Sequence, residues 1–173
     1  MNNKICKEDA YKNLDIVNSW ISNIDLKASF ILAFLGILLG NILNVNNIEI
    51  LKKFISIPIN TMSLIEILRT IVVILLIISS MTSAILLILT LLARTKINNI
   101  PKSNYFFGNI ANMDRIEFLN NFERMNEKTV KKEILNQVYV NSKICSCKSK
   151  LYNKSIKYIV VTVILTFINY IFC

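Results

Sequence analysis

Residues 20–40 read WISNIDLKASFILAFLGILLG. The first part is polar and carries Asp25 and Lys27; from Ala28 onward the stretch is apolar enough to enter a bilayer. Both parts lie on one helical stripe. Ala10, Leu14, Val17, Ile21, Ile24, Ala28, Ile31, Leu35, Leu38 and Ile42 follow one another at spacings of four and three without a break, a heptad-like seam. The pattern predicts one helix that begins in water and ends in lipid, with Asp25 and Lys27 where it crosses the surface.

Working outward, the 173 residues are 54% hydrophobic, with the apolar residues clustered, which points to membrane spans. Only 3 Gly and 2 Pro are present, too little turn chemistry for a β-rich fold. The expectation is an all-α membrane protein with three transmembrane helices, its long helices extending into a basic helical cytoplasmic region. Residues 1–27 form a cytoplasmic amphipathic helix. Residues 28–93 form a transmembrane hairpin, with spans at about 28–43 and 71–93 and an outer connector at 44–70. Residues 94–157 form the basic region, and 158–173 the third span. No signal-peptide pattern is apparent before the first span.

Each span carries a feature beyond its hydropathy. Gly36 and Gly40 make a GxxxG, which either lets helix backbones approach closely or is two glycines in a Leu/Ile-rich run. In the connector, Asn44, Asn46 and Asn47 are read as ending the first helix, and Pro58 as a breaker. Ser63 and Glu66 have the spacing of a capping box. Span two contains no charge until Arg94 and Lys96, and Ser79, Ser83 and Thr90 fall on one of its faces. Thr162, Thr166 and Asn169 form a similar polar stripe in span three. Such residues bond their own backbone, join helices or line a wet path; joining helices is the favoured role.

Residues 94–157 hold thirteen Lys/Arg against five Asp/Glu, which is +8 of the total +9. The positive-inside rule therefore puts this block and the N-terminus in the cytoplasm, and the connector and Cys173 outside. Residues 98–104, with Pro101, read as a turn. A helix is expected from about 114 to 125 with Ile116, Leu119 and Phe122 inward, and another from about 127 past Lys154.

The chain has no His, which removes the usual general base and the commonest metal ligand. There is no P-loop, GxGxxG or HExxH. Cys145 and Cys147 are two apart, too tight for the paired spacing of a zinc site. The reading is of no enzyme, no catalytic residue, no metal and no cofactor, with cysteines that form no structural disulfide. Three uses of the positive charge remain open: orientation and contact with anionic lipid, binding of a nucleotide phosphate by Arg115, Arg124, Lys131, Lys132, Lys143 and Lys148, or nonspecific nucleic-acid binding. From charge alone the first is favoured. Against it, Asn141, Cys145 and Lys148 share a face with Val130, Ile134 and Val138. Polar groups there set register in an assembly, meet a ligand, or simply lie at the surface.

Three stretches carry a resemblance. Trp20, Asp25, Lys27, Ala28 and Ser29 make W-x4-D-x-K-A-S ahead of a Gly-containing span. Tyr105, Phe106, Phe107, Gly108, Asn109, Ile110 and Ala111 follow the second span, and Gln137, Asn141, Ser142 and Lys148 precede the third. In this order they resemble the Pycsar transmembrane effector family of bacterial anti-phage defence. The resemblance implies a membrane effector of abortive infection that answers a cyclic nucleotide or short oligonucleotide made by a cognate synthase and disrupts the membrane. The alternative gating that the resemblance implies is a channel held closed by a bound nucleotide or oligonucleotide and opened when it is lost. Trp20, Asp25, Lys27, Tyr105, Phe107 and Gly108 are family-motif positions rather than assigned ligands.

Three spans are too few to enclose a pore in one subunit, so a channel needs a homo-oligomer, taken here as a tetramer. The seam and GxxxG offer assembly contacts, the polar stripes a lining, and the basic helices an anion sensor. A non-gated membrane scaffold or accessory subunit is the competing reading.

Overall fold

The structure is a computed structural model and describes residues 6–58, 61–92 and 103–172, apart from the Phe107 side chain. It is 88% helical, and the described residues contain no strand. Outside them fall the stop signals Arg94 and Lys96, Pro101 with most of the expected turn at 98–104, and Cys173.

Helix α1 (Lys7–Ile42) is one unbroken element of 36 residues. The Cys6 backbone N–H donates to Asp9 Oδ2 at 3.1 Å, so a first-turn carboxylate satisfies a donor that the helix cannot. All ten seam positions are buried or half-buried.

Helix α2 (Val45–Ser56) corrects the reading of the connector. The asparagines do end α1, but Asn44 also caps the next helix, its side chain accepting from Asn47 N–H at 2.9 Å. An Asn cluster stops one helix and starts another with equal ease. Two residues before Pro58, α2 ends, as the restriction on the residue preceding proline demands.

Helix α3 (Leu64–Leu92) opens on the expected capping box. Ser63 N–H donates to Glu66 Oε2 at 3.0 Å, and Glu66 N–H donates to Ser63 Oγ at 3.3 Å. The helix then runs without a break into span two. Three short-to-long elements follow: α4 (Phe107–Ile110), α5 (Arg115–Glu123) and α6 (Glu127–Ile171). Asp114 caps α5 by accepting from Ile116 N–H at 3.0 Å. Asn126 Oδ1 accepts from both the N–H and the hydroxyl of Thr129 at the start of α6.

α1, α3 and α6 are long and apolar enough to cross a membrane. On α3, Ile71, Ile74, Leu75, Ile78, Ile85 and Ile88 are exposed, as lipid-facing residues must be. The chain divides into two compact units, Met1–Ile24 with Ala93–Lys148 and Asp25–Leu92 with Ser149–Cys173. The core of the first is Ala10, Val130 and Ile134, covered by Tyr11, Leu14, Tyr105 and Met125. The core of the second is Ala28, Leu35 and Leu87, flanked by residues that include Ile31, Ala84, Tyr152 and Ile159. One inward assignment fails: Ile116, Leu119 and Phe122 are exposed, and α5 buries nothing. A nine-residue helix has too little length to carry its own core stripe, so the 3-residue spacing there was no guide to burial.

Candidate functional site

In the second unit the polar side chains of α3 face inward. Thr70, Ser79, Ser80, Ser83 and Thr90 are all buried. Serine and threonine survive in an apolar interior when each hydroxyl finds an acceptor. Ser79 Oγ lies 2.6 Å from Thr162 Oγ1, and Thr162 in turn donates to the Tyr158 carbonyl at 2.9 Å. Ser83 Oγ donates to the Ser155 carbonyl at 3.2 Å. Asn169 Nδ2 donates to Asn47 Oδ1 at 3.3 Å, and Asn47 Nδ2 donates to the Ile42 carbonyl at 2.9 Å. Thr90 and Thr166 bond the carbonyls of Leu86 and Thr162 in their own helices. Within one chain, then, Ser79, Ser83, Thr162 and Asn169 join helices. Gly36 and Gly40 do not take part: a Cβ at either would meet no atom within 4 Å.

In the first unit the candidate anion ligands are spread out. Arg115 and Arg124 are exposed at the two ends of α5, and Lys132 and Lys143 are exposed on α6. Lys131 is half-buried. Lys143 Nζ stands 4.6 Å from the centroid of the Tyr139 ring, a cation–π pair. Lys132 and Lys143 are separated by about 16 Å of helix rise. Lys148 differs from the rest, with only 5% of its surface exposed. It lies on the buried face of α6 with Val130, Ile134 and Gln137, while Asn141 and Cys145 are half-buried. Asn141 Nδ2 donates to Asn18 Oδ1 at 2.7 Å. Burial pushes the Cys145 thiol pKa up, which keeps it an unreactive thiol.

The aromatic stretch has its own support. Glu133 accepts from Asn104 N–H at 2.9 Å, from Asn104 Nδ2 at 3.2 Å and from Ser103 Oγ at 3.3 Å, fixing the turn that leads into Tyr105. Tyr105 N–H donates to Ser103 Oγ at 3.1 Å, and the Tyr105 ring stands 6.0 Å from that of Phe122. Burial, helped by a hydrogen bond shared with Tyr11, pushes the Tyr105 pKa up to about 12, so it stays a neutral phenol. Gly108 has a local reason: a Cβ there would sit 2.7 Å from the Phe106 ring. Trp20 and Lys27 are exposed and Asp25 half-buried, with Ser29 Oγ donating to the Asp25 carbonyl at 2.9 Å.

Glu133, Asn18 and Ser155 are not singled out by the sequence, and Asn47 reads there only as a helix stop. Ser155 had a signal, since it stands seven residues before Thr162 on the same stripe. Glu133 had none, because its partners lie about thirty residues away in a turn.

A family model described as a Pycsar effector protein domain matches residues 9–173. The chain belongs to the Pycsar effector family. It is 33% identical over 178 residues to the Pycsar effector protein GmPycTM of Gulbenkiania mobilis, covering 91% of this chain and 88% of the relative. No solved structure matches the chain. Membership in the Pycsar effector family supports the role of an anti-phage membrane effector, and its members are not known as enzymes.

Proposed function

We propose that this Pycsar effector is a homo-oligomeric, pore-forming protein of the bacterial inner membrane, gated by a nucleotide second messenger from a cognate synthase. The observation that carries the reading is the make-up of α1 and α6. Each is one continuous helix with a charged or polar segment at one end and an apolar segment at the other. A ligand that favours one arrangement of the charged segments shifts the equilibrium of the apolar ones. The excess of thirteen Lys/Arg over five Asp/Glu in residues 94–157 supplies affinity for an anion and, by the positive-inside rule, places that region in the cytoplasm.

Several copies must surround any pore, because three spans cannot enclose one. The outward-facing Gly36 and Gly40 are available for contact between copies. The Ser79, Ser83, Thr162 and Asn169 groups then exchange their helix–helix contacts, and Thr166 its bond within α6, for water when the pore opens. This implies that the structure corresponds to a closed arrangement.

Two measurements test the reading. Purified protein titrated with labelled cyclic and linear nucleotides binds one class. Cells that also carry the cognate synthase lose membrane potential on infection, as a voltage-sensitive dye reports. Absence of both binding and depolarisation identifies a non-gated scaffold instead. The combined Asp25→Ala and Lys148→Ala variant is expected to lose protection against phage; full protection would show that the critical residues lie elsewhere.

A further inference from the structure

The connector helix α2 has two apolar faces, and only one is covered. Asn47 and Ile50 are buried, and Phe54 is half-buried on the same side. Val45, Ile48 and Ile55 are 69%, 38% and 84% exposed. With the half-buried Leu51 they fall within about 120° of arc at 100° per residue. A polar arc beginning beside Val45 holds Asn46, Glu49 and Lys53, which with Ile50 and Arg69 line an open groove of about 300 Å³. Lys53 is ion-paired with Glu66. Lys52 lies inside the apolar arc, between Ile48 and Val45.

We propose that α2 is an interfacial helix that lies in the leaflet where α1 ends. Val45, Ile48, Leu51 and Ile55 sit among the upper acyl chains, and Asn46, Glu49, Lys53 and Arg69 face the headgroups and water. The partner is a phospholipid leaflet, for three reasons. First, Leu43 and Asn44 are all that separate α2 from α1, and two residues reach at most about 7 Å. The helix therefore cannot leave the membrane surface that α1 has crossed to. Second, Leu64, Ile65 and Leu68 at the start of α3, the next helix in the chain, are also exposed and continue into the lipid-facing residues of that span. Third, the apolar part of α1 is short: residues 28–42 rise only about 22 Å, against about 30 Å of hydrocarbon. A flat apolar helix at its end fills the upper acyl layer that α1 leaves uncovered. Lys52 then lays its stem on the acyl chains and carries its ammonium to the phosphates.

α2 is also tied to all three spans. Asn47 donates to the Ile42 carbonyl of α1 and accepts from Asn169 of α6, and Lys53 pairs with Glu66 of α3. Seated in lipid, it holds those three helix ends at one depth and transmits lateral pressure in that leaflet to them.

The test uses full-length protein in vesicles of phosphatidylcholine and phosphatidylglycerol, with no nucleotide, so its outcome is independent of gating. The four native cysteines are replaced by alanine, and single cysteines at positions 46, 48, 49 and 55 are labelled with an environment-sensitive fluorophore. All four positions are exposed, so no label displaces packing. At 48 and 55 the expected result is at least threefold stronger quenching by doxyl-labelled lipid than at 46 and 49, and the reverse order with aqueous iodide. Equal access of iodide to all four positions overturns the proposal. So does shielding of 48 and 55 from both quenchers with disulfide formation between two Ile55→Cys chains, which would make the stripe a contact between copies.

Discussion

Along α1 the buried positions are Ala10, Val17, Ala28, Leu35 and Ile42; along α6 they are Val130, Ile134, Gln137, Lys148, Ser155, Thr162 and Asn169. Both sets keep heptad-like spacing, so both helices present a continuous inward seam. In their membrane parts the chemistry is opposite, Ala28, Leu35 and Ile42 on α1 against Ser155, Thr162 and Asn169 on α6. In water the apolar seam would be the stronger, because burial removes it from solvent. In lipid that driving force disappears, since acyl chains are as apolar as leucine, and packing and hydrogen bonds between helices decide association. The membrane part of α1 therefore contributes shape. The membrane part of α6 contributes register, because Ser79 with Thr162 and Ser83 with Ser155 pair in only one alignment. A seam of that kind can also re-pair with water or another copy, which is what a gate requires and an all-leucine seam cannot do.

The sharpest way to break this contrast is to write α6 chemistry into α1. Leu35→Asn removes a fully buried side chain from the Ala28–Leu87 core and leaves an amide without a partner. A loss of about 3 kcal/mol is expected, combining the cavity with the unpaired polar group. Unfolding in mixed micelles, followed by circular dichroism, measures it. A loss below about 1 kcal/mol would mean that the α1 seam tolerates polarity as well as α6 does.

The next contrast is between the two asparagines that join α2 to α6. Asn47 makes two side-chain hydrogen bonds in the buried cluster, to Ile42 and from Asn169, whereas Asn169 Oδ1 is buried with no partner. Asn47→Leu strips Asn169 of its hydrogen bond across to α2 and is expected to cost about 2 kcal/mol. Asn169→Leu leaves the Asn47 oxygen short of one bond but also deletes an unsatisfied acceptor, so it costs about 1 kcal/mol less. Smaller again is the coupling between Ser79 and Thr162. A double-mutant cycle with Ser79→Ala and Thr162→Val is expected to give about 0.6 kcal/mol, the usual worth of a hydroxyl contact between membrane helices. Equal losses for the two Asn variants, or zero coupling in the cycle, would reduce the polar seam to packing.

Much of this architecture is legible in the residues, and the exceptions have physical causes. The α1 seam reads directly because heptad spacing and apolar character coincide over ten positions. The capping box at Ser63 reads directly because both partners are local. α2 does not, because Asn is equally good at stopping and starting a helix. The α6 seam was seen only in fragments, Gln137 to Lys148 and Thr162 to Asn169, since polar residues at heptad positions look like surface until burial is known. The candidate anion ligands are less legible still. A lysine's charge is visible in sequence, but Lys148 is buried while Lys132 and Lys143 are exposed, and only the fold distinguishes them.

The weakest expected effect is the most discriminating. Asn141 on α6 meets α1 through Asn18, whose side chain is solvent-exposed. Asn141→Leu gives the first unit an apolar position next to Val138 and Ile134, and the abandoned Asn18 is satisfied by water. The gain from burial and the lost hydrogen bond then nearly cancel, and stability should stay within about 0.5 kcal/mol of the parent. A polar residue that adds no stability is retained for specificity, as a lone Asn in a coiled-coil seam fixes register and copy number at some cost. The variant should therefore unfold like the parent yet give a broader distribution of assembly masses by native mass spectrometry in detergent. If it loses more than about 1 kcal/mol with its assembly unchanged, Asn141 is a stabilising contact, and the division of labour between the two helices does not extend beyond the membrane.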